Sequence, residues 1–328
     1  MTSALRVDDT SAVALTNSDL PSWLSHVSRL PAVIDGVKGL AWRFPSYENM
    51  LKTLGHADGM AEVMAIAIKD FIEEASQSGD PEKFLKERVH KYKIYVSEFD
   101  TVKIPIRAAN LFVAGAYEQF EGYLYDVVED YEELMGTAVR KRKEKEPPLD
   151  YVLDVLPGGL SKNKLRIWHE RYLMLEYFRH VRNLFAHPRR GDKAVLRARD
   201  ALLPLEPLLR EQYRAAPPNP PDSLTIDDFL LFTRLIKYLA TDLCRIMEPQ
   251  DDMLVEHAVR QSLKPRSPLA GLPTAEKNID KRLKKVAGYY RNRFRRTLPA
   301  SIVHAISERL WLEKHGNLSK YPDGRVSR

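Results

Sequence analysis

One cysteine in 328 residues excludes an intrachain disulfide, and Cys244 sits inside the apolar stretch LIKYLATDLCRIM. A reducing, cytoplasmic setting is the simplest expectation. No uninterrupted apolar run reaches the length of a bilayer span; ANLFVAGAY is too short. The start, MTSALRVDDTSAVALTNSD, is polar and partly acidic, so neither a signal peptide nor a membrane partner is expected. A Gly-x4-Gly-Lys-Ser/Thr loop is missing, which removes the usual phosphate cradle of an NTPase. His26, His56, His90, His257, His304 and His315 are scattered, and with a single cysteine they form no zinc-ligand spacing. Asp222, Asp227 and Asp228 in NPPDSLTIDDF lack a following Glu-x-Lys on a strand; they read as helix caps rather than ligands of a metal-dependent nuclease. No metal or cofactor is expected. Sustained period-two alternation is missing outside YKIYVSEF and TVKIPI, so strands are at most a minor element.

What is present is helical periodicity. From Ile106 to Leu134, apolar residues recur at Val113, Ala116, Phe120, Leu124, Val127, Tyr131 and Leu134, the three-and-four spacing of one helix face. A second long helix is expected from Lys164 to about His187, stopped by Pro188 and Gly191. A third spans LTIDDFLLFTRLIKYLATDLCRIM, opened by Asp222, Ser223 or Thr225 as its cap. The stretches RKRKEKEPPLD (140–150), AAPPNPPDS (215–223) and KPRSPLAGLPTAE (264–276) read as linkers. The expected architecture is all-α: a disordered tail over 1–20, a mainly helical extension over 21–100 carrying GMAEVMAIAIKDFIEEA, a helical bundle over 101–250, and a basic helical segment over 251–328.

Net charge is +6 and the pI about 9.1, and the excess is clustered. One cluster surrounds FRHVRNLFAHP (178–188) with Arg179, Arg182, Arg189, Arg190, Lys193, Arg197 and Arg199; the other is KRLKKVAGYYRNRFRR (281–296), with Arg291 and Arg293. Clustered positive charge with interleaved aromatics suits a polyanion such as RNA, whereas a solvated helix face with snorkelling Lys and Arg fits the tail equally well. Tyr289, Tyr290 and Phe294 have the spacing either to stack on bases or to fill a core stripe.

The stretch FRHVRNLFAHP carries the chemistry. Metal-independent RNA cleavage requires a base for the 2′-hydroxyl, an acid for the leaving 5′-oxygen and a cation for the five-coordinate phosphorus. Histidine serves the proton transfers, arginine the phosphate, and an asparagine amide can orient either. Asn183 and His187 are four apart and share a helix face; Arg182 lies to the side with a long reach. Proline after His187 places the histidine at the carbonyl end of the helix, which favours imidazolium. His169 and His180, eleven residues apart, are three turns from each other and read as surface or interface residues. One chain supplies one histidine and one arginine, so a two-proton reaction implies a symmetric dimer.

The stretch RNLFAH resembles the Arg-x4–6-His signature of HEPN-domain proteins (higher eukaryotes and prokaryotes nucleotide-binding), with FVAGAYEQFEGYLYDVVEDYEEL before it and IDDFLLFTRLIKYLATDLC after it. The resemblance covers roughly residues 103–248. It implies an antiparallel helical bundle that dimerises through the motif helices, forming a composite ribonuclease site used by toxins and by abortive-infection or other antiviral effectors. Carried over by residue, Arg182 would stabilise the phosphate, His187 would be the acid–base group and Asn183 would orient, with Glu118 or Glu121 matching an acidic residue on the first long helix. Arg179, Arg189, Arg190, Lys193, Arg291 and Arg293 would then bind RNA. The tyrosine that toxins paired with nucleotidyltransferase antitoxins often carry two residues after the histidine is Arg189 here, a departure from that pairing, and the residues before the bundle exceed a minimal toxin, suggesting an added regulatory or assembly region. The resemblance to toxins also implies an antitoxin or other regulatory partner. The alternative expectation is a non-catalytic module of the same family that binds RNA, a nucleotide or a protein.

Overall fold

The computed structural model describes residues 42–93, 100–187, 191–272 and 278–315. Everything regular in them is helical, with no strand among the described residues. The stretch YKIYVSEF lies mostly outside that set, and TVKIPI is helical from Lys103 onward. The expected tail over 1–20 also lies outside it.

Helix α1 (Pro45–Gln77) opens with proline at its first position, where a missing N–H costs nothing. It is followed by the short α2 (Pro81–Tyr92), capped by the Asp80 carboxylate accepting from Lys83 N at 3.0 Å. Helix α3 (Lys103–Met135) buries Val113, Ala116, Phe120, Leu124, Val127, Tyr131 and Leu134 as the periodicity predicts. It stops at Gly136, whose φ of 72° lets its N–H reach back to Glu132 O. Helices α4 (Pro148–Val155) and α5 (Gly159–Arg166) form a short hairpin, fastened by buried Asn163 donating to Leu153 O at 2.8 Å. Helix α6 (His169–Ala186) carries the motif. The single helix expected from Lys164 is therefore two: Ile167 and Trp168 are extended, and Ile167 turns into the core. Burying that side chain outweighs the continuous helical pattern.

Helices α7 (Lys193–Asp200) and α8 (Glu206–Tyr213) lead through the proline-rich stretch to α9 (Ile226–Ile246). Of the three expected caps, Thr225 is the one used, its N–H and hydroxyl both donating to Asp228. Helices α10 (Asp251–Leu263), α11 (Ile279–Phe294) and α12 (Ala300–His315) complete the chain.

Four long helices make the central bundle. Ser46 N donates to Asp130 Oδ2 at 2.9 Å while Ile72 and Ile106 line one groove, so α1 and α3 run antiparallel. Phe112–Phe229, Tyr117–Phe232 and Tyr123–Ala240 contacts make α3 and α9 parallel. Phe178 stacks on Phe232 at 4.4 Å and Arg171 reaches Asp242, so α6 runs back along α9. The core is continuous beyond these four. Trp42 stacks on Phe294 at 4.5 Å, and Tyr290 and His257 pack beside it. Helix α1 and helices α10–α12, read as flanking segments, thus share one core with the bundle. Tyr289, Tyr290 and Phe294 are buried in it, so the core-stripe reading is correct and stacking on bases is not available to them. No helix among the described residues is long and apolar enough to cross a membrane.

Candidate functional site

Helix α6 packs one face, with Met174, Leu175, Phe178 and Val181, against the bundle. This leaves Arg179, Arg182, Asn183 and the helix end partly or fully open to solvent. The last helical residue is Ala186. His187 is the C-cap, with φ −137° and ψ 70°, and its N–H donates to Asn183 O at 2.9 Å. Its ring is exposed, and among the described residues it has no recorded side-chain partner. The motif helix therefore ends on an accessible imidazole at its carbonyl end, as the proline after it predicts.

Arg182 is held rather than free. Its Nε donates to Glu118 Oε1 at 2.9 Å and Nη2 contacts the same oxygen; Nη1 donates to Asn183 Oδ1 at 3.1 Å. Glu121 Oε2 is 3.7 Å away and the guanidinium lies over the Tyr117 ring, 5.7 Å from its centroid. Glu118 and Glu121 are three apart on α3, so both face α6. Burial pushes the Glu121 carboxyl above its ordinary value, an effect that Arg182 opposes and Glu118 reinforces. Three expected residues, Arg182, Asn183 and Glu118, thus form one hydrogen-bonded cluster, while His187 joins it only through the backbone bond to Asn183.

The expected RNA-binding residues fare differently. Arg179 forms a two-pronged pair with Glu176, with Nε to Oε1 at 3.0 Å and Nη2 to Oε2 at 2.6 Å. Arg293 is paired with Glu133, which also accepts from Gln261 at 2.8 Å; it ties α11 to α3 and is not a free cation. Lys193 and Arg291 are exposed. Arg189 and Arg190 lie outside the described residues. His180 is half-buried, and burial together with Arg179 lowers its pKa, so it stays neutral at physiological pH more readily than an ordinary histidine. His169 is exposed, as expected of a surface residue.

Comparisons with protein-family models, with curated proteins and with solved structures find no match. What the cluster can do has to follow from its own geometry.

Three nearby side chains escaped sequence reasoning. Tyr125, two turns beyond Glu118 on α3, is exposed, and the Arg142 guanidinium lies 5.6 Å from its ring centroid. Tyr117 is buried beneath Arg182, and burial pushes its phenol pKa up, an effect that Arg179 and Arg182 oppose. The α3 spacing Glu118, Glu121, Tyr125 is legible as a helix face. Arg142 is not, because only the fold of the 140–150 loop, pinned by Arg140 to Glu146 and Asp154, returns it to α3. Chemically, the cluster offers a guanidinium with fixed orientation, a carboxylate that would have to yield to a phosphate, and an exposed imidazole one turn away.

Proposed function

We propose that this chain is a metal-independent endoribonuclease whose active site is completed by a second copy across the motif helices, as a toxin or antiviral-defence effector of HEPN type. The observation that carries the reading is the pairing of an oriented Arg182, gripped by Glu118 and Asn183, with a solvent-exposed His187 one turn further along the same helix. A scaffold has no use for a solvent-exposed histidine beside an oriented arginine. Cleavage needs both. One His187 takes the 2′-hydroxyl proton as O2′ bonds to phosphorus; the P–O5′ bond breaks and the second copy's histidine protonates O5′. Arg182 takes the phosphate oxygens in place of Glu118. Phe185, 39% exposed beside the motif, supplies apolar surface on which two α6 helices can pair.

A second reading has one observation in its favour. Arg182 and Arg179 are both paired with carboxylates within the chain, which leaves neither free for a transition-state phosphate and suits a non-catalytic module that binds RNA, a nucleotide or a partner protein through other residues. RNA cleavage in EDTA by wild type and by His187→Ala separates the two. Products ending in 2′,3′-cyclic phosphate, lost in His187→Ala and in Arg182→Ala, are expected of the enzyme. Equal cleavage by either variant would refute the assigned site, and binding without cleavage by wild type would favour the module.

A further inference from the structure

Helix α11 sorts its cations by direction. Those that turn inward have partners: Arg282 is buried over the Trp311 ring, 4.6 Å from its centroid, and Arg293 is held by Glu133. Those that turn outward do not. Lys281, Lys284, Lys285 and Arg291 are exposed, as is Arg295 at the C-cap, and none of them makes an ion pair among the described residues. Lys281, Lys284, Lys285, Gly288, Arg291 and Asn292 share one sector of the helix, roughly 120° wide at 3.6 residues per turn. No apolar or acidic side chain interrupts it. Leu283 and Ala287 pack inward on the core, and the helix's one carboxylate, Asp280, stands at the sector's edge in the first turn without pairing with any of these cations.

That pattern is unfavourable for the helix by itself. Lys281 lies three and four residues before Lys284 and Lys285, where like charges repel. It also lies in the first turn, where the helix dipole favours an anion. Solvated faces elsewhere in the chain mix signs: α2 carries exposed Glu82, Lys83, Lys86 and Glu87, and α12 pairs Arg309 with Glu313 at 2.8 Å. Gly288, in the middle of the sector, is demanded by neither a positive φ nor packing, since a Cβ there would meet nothing within 4 Å. Glycine weakens a helix interior, but it lets another chain approach the backbone closely.

The chemistry of the face selects its partner. A stable protein interface is built on an apolar centre, and an interfacial membrane helix needs an apolar face free for lipid; on α11 the apolar face is spent on the core. Single-stranded RNA is held on exposed aromatic platforms, whereas Tyr289, Tyr290 and Phe294 are buried. Double-helical RNA offers a wide, shallow minor groove bordered by phosphates and 2′-hydroxyls. A cationic face about 15 Å long from Lys281 to Arg291, with the Asn292 amide beside the notch at Gly288, complements those groups.

We infer that the outer face of α11 is a docking surface for the phosphate backbone of double-helical RNA, bound without regard to sequence. The surface is distinct from the α6 cluster. Glu133, which holds Arg293, and Glu118, which holds Arg182, stand fifteen residues apart on α3, roughly 22 Å of helix. The inference stands whether or not the chain cleaves RNA.

Fluorescence anisotropy of a labelled, blunt-ended RNA duplex titrated with the full chain, over a salt series in EDTA, tests the surface. Wild type is expected to bind with a log–log salt slope of about −4, as five phosphate contacts require. Lys284→Glu with Arg291→Glu, both at exposed positions, is expected to weaken binding by roughly a hundredfold and to flatten the slope by about two, with circular dichroism unchanged. Gly288→Gln is expected to raise the melting temperature yet weaken binding, a split that a purely structural glycine would not give. His187→Ala binds the duplex as wild type does, so a failed cleavage site and a failed docking face give different results. Undiminished binding by the double charge reversal would overturn the inference. So would absence of duplex binding by wild type, equal affinity for a DNA duplex or a single RNA strand of the same sequence, or binding to anionic lipid vesicles in preference to the duplex.

Discussion

Glu170 is buried at 2% exposure with no hydrogen-bond partner for Oε1, and Arg171 Nε, 3.9 Å away, is committed to Tyr213 while its Nη1 holds Asp242. Burial therefore raises the carboxyl from 4.5 to about 7, with a backbone hydrogen bond and Arg171 only partly opposing it. A folded-state pKa above the unfolded one means that the folded chain holds an extra proton between the two values, so stability falls as pH rises from about 4.5 to 7. At about 1.4 kcal/mol per pH unit, the ionised carboxylate costs about 3 kcal/mol above pH 7. Glu170→Gln, neutral at every pH, removes that cost. His257 has the opposite sign. It is fully buried, its Nδ1 meets the Tyr290 hydroxyl at 3.1 Å, and Tyr290 in turn donates to Leu254 O. Burial lowers its pKa from 6.5 to about 4, so its contribution is complete above pH 6.5 and is lost as pH falls towards 4. Between about pH 4.5 and 6.5 the two effects cancel: the folded chain gains one proton at Glu170 and forgoes one at His257. Urea unfolding at a series of pH values exposes each partner. Glu170→Gln is expected to gain about 3 kcal/mol at pH 8 and little at pH 4.5, with stability that now rises across the interval. His257→Gln is expected to lose stability as pH rises across the same interval, whatever its absolute value. A Glu170→Gln effect equal at pH 4.5 and pH 8, or destabilisation at pH 8, would refute the reasoning.

Asp228 accepts from Asn219 N at 2.9 Å, Asn219 Nδ2 at 3.0 Å, Thr225 N at 2.8 Å and Thr225 Oγ1 at 3.0 Å. Asp228→Ala strands these donors and is expected to cost about 3 kcal/mol in urea unfolding; a loss below about 1 kcal/mol would show that water replaces the carboxylate. Gly136→Ala adds a Cβ at φ 72° pointing at Arg260, whose Nη2 donates to Leu134 O. A loss of about 2 kcal/mol is expected, smaller if Arg260 simply swings out. The Cys244 thiol, fully buried and pushed up to about 12 by burial, is expected to resist thiol reagents until the chain unfolds; rapid labelling of the native protein would contradict the packing around α9.

The long helices were legible because their burial is one-sided. The α3 stripe from Val113 to Leu134 and the Thr225 start of α9 are local patterns, and the bundle buries what they mark. The break at Ile167–Trp168 was not, because nothing in LRIWHERY disfavours helix; tertiary burial of Ile167 does. The GYYRNRF segment shows the same limit from the other side. Its spacing fitted both a core stripe and a base-stacking surface, and only the arrival of Trp42, from almost two hundred and fifty residues earlier in the chain, shows which face is inside.

The candidate site divides along the same line. Arg182, Asn183 and His187 are within six residues of each other, so their proximity follows from helix geometry alone. What Arg182 holds does not. Glu118 is reached only because α3 and α6 run side by side, and the carboxylate it presents changes the chemistry: a guanidinium already satisfied by Glu118 binds phosphate only by exchange. That exchange is inexpensive here, since Glu118 is 58% exposed and regains water on release, whereas the more buried Glu121 does not. On the proposed reading, Glu118 is thus better suited to hold Arg182 in orientation until a phosphate displaces it than to act on the substrate itself. A charge count around the motif misses this. Arg179 and Arg293 add to the basic clusters in the sequence, yet in the fold both are spent on carboxylates of their own chain, leaving Lys193 and Arg291 as the exposed cations among the expected contacts that the structure describes.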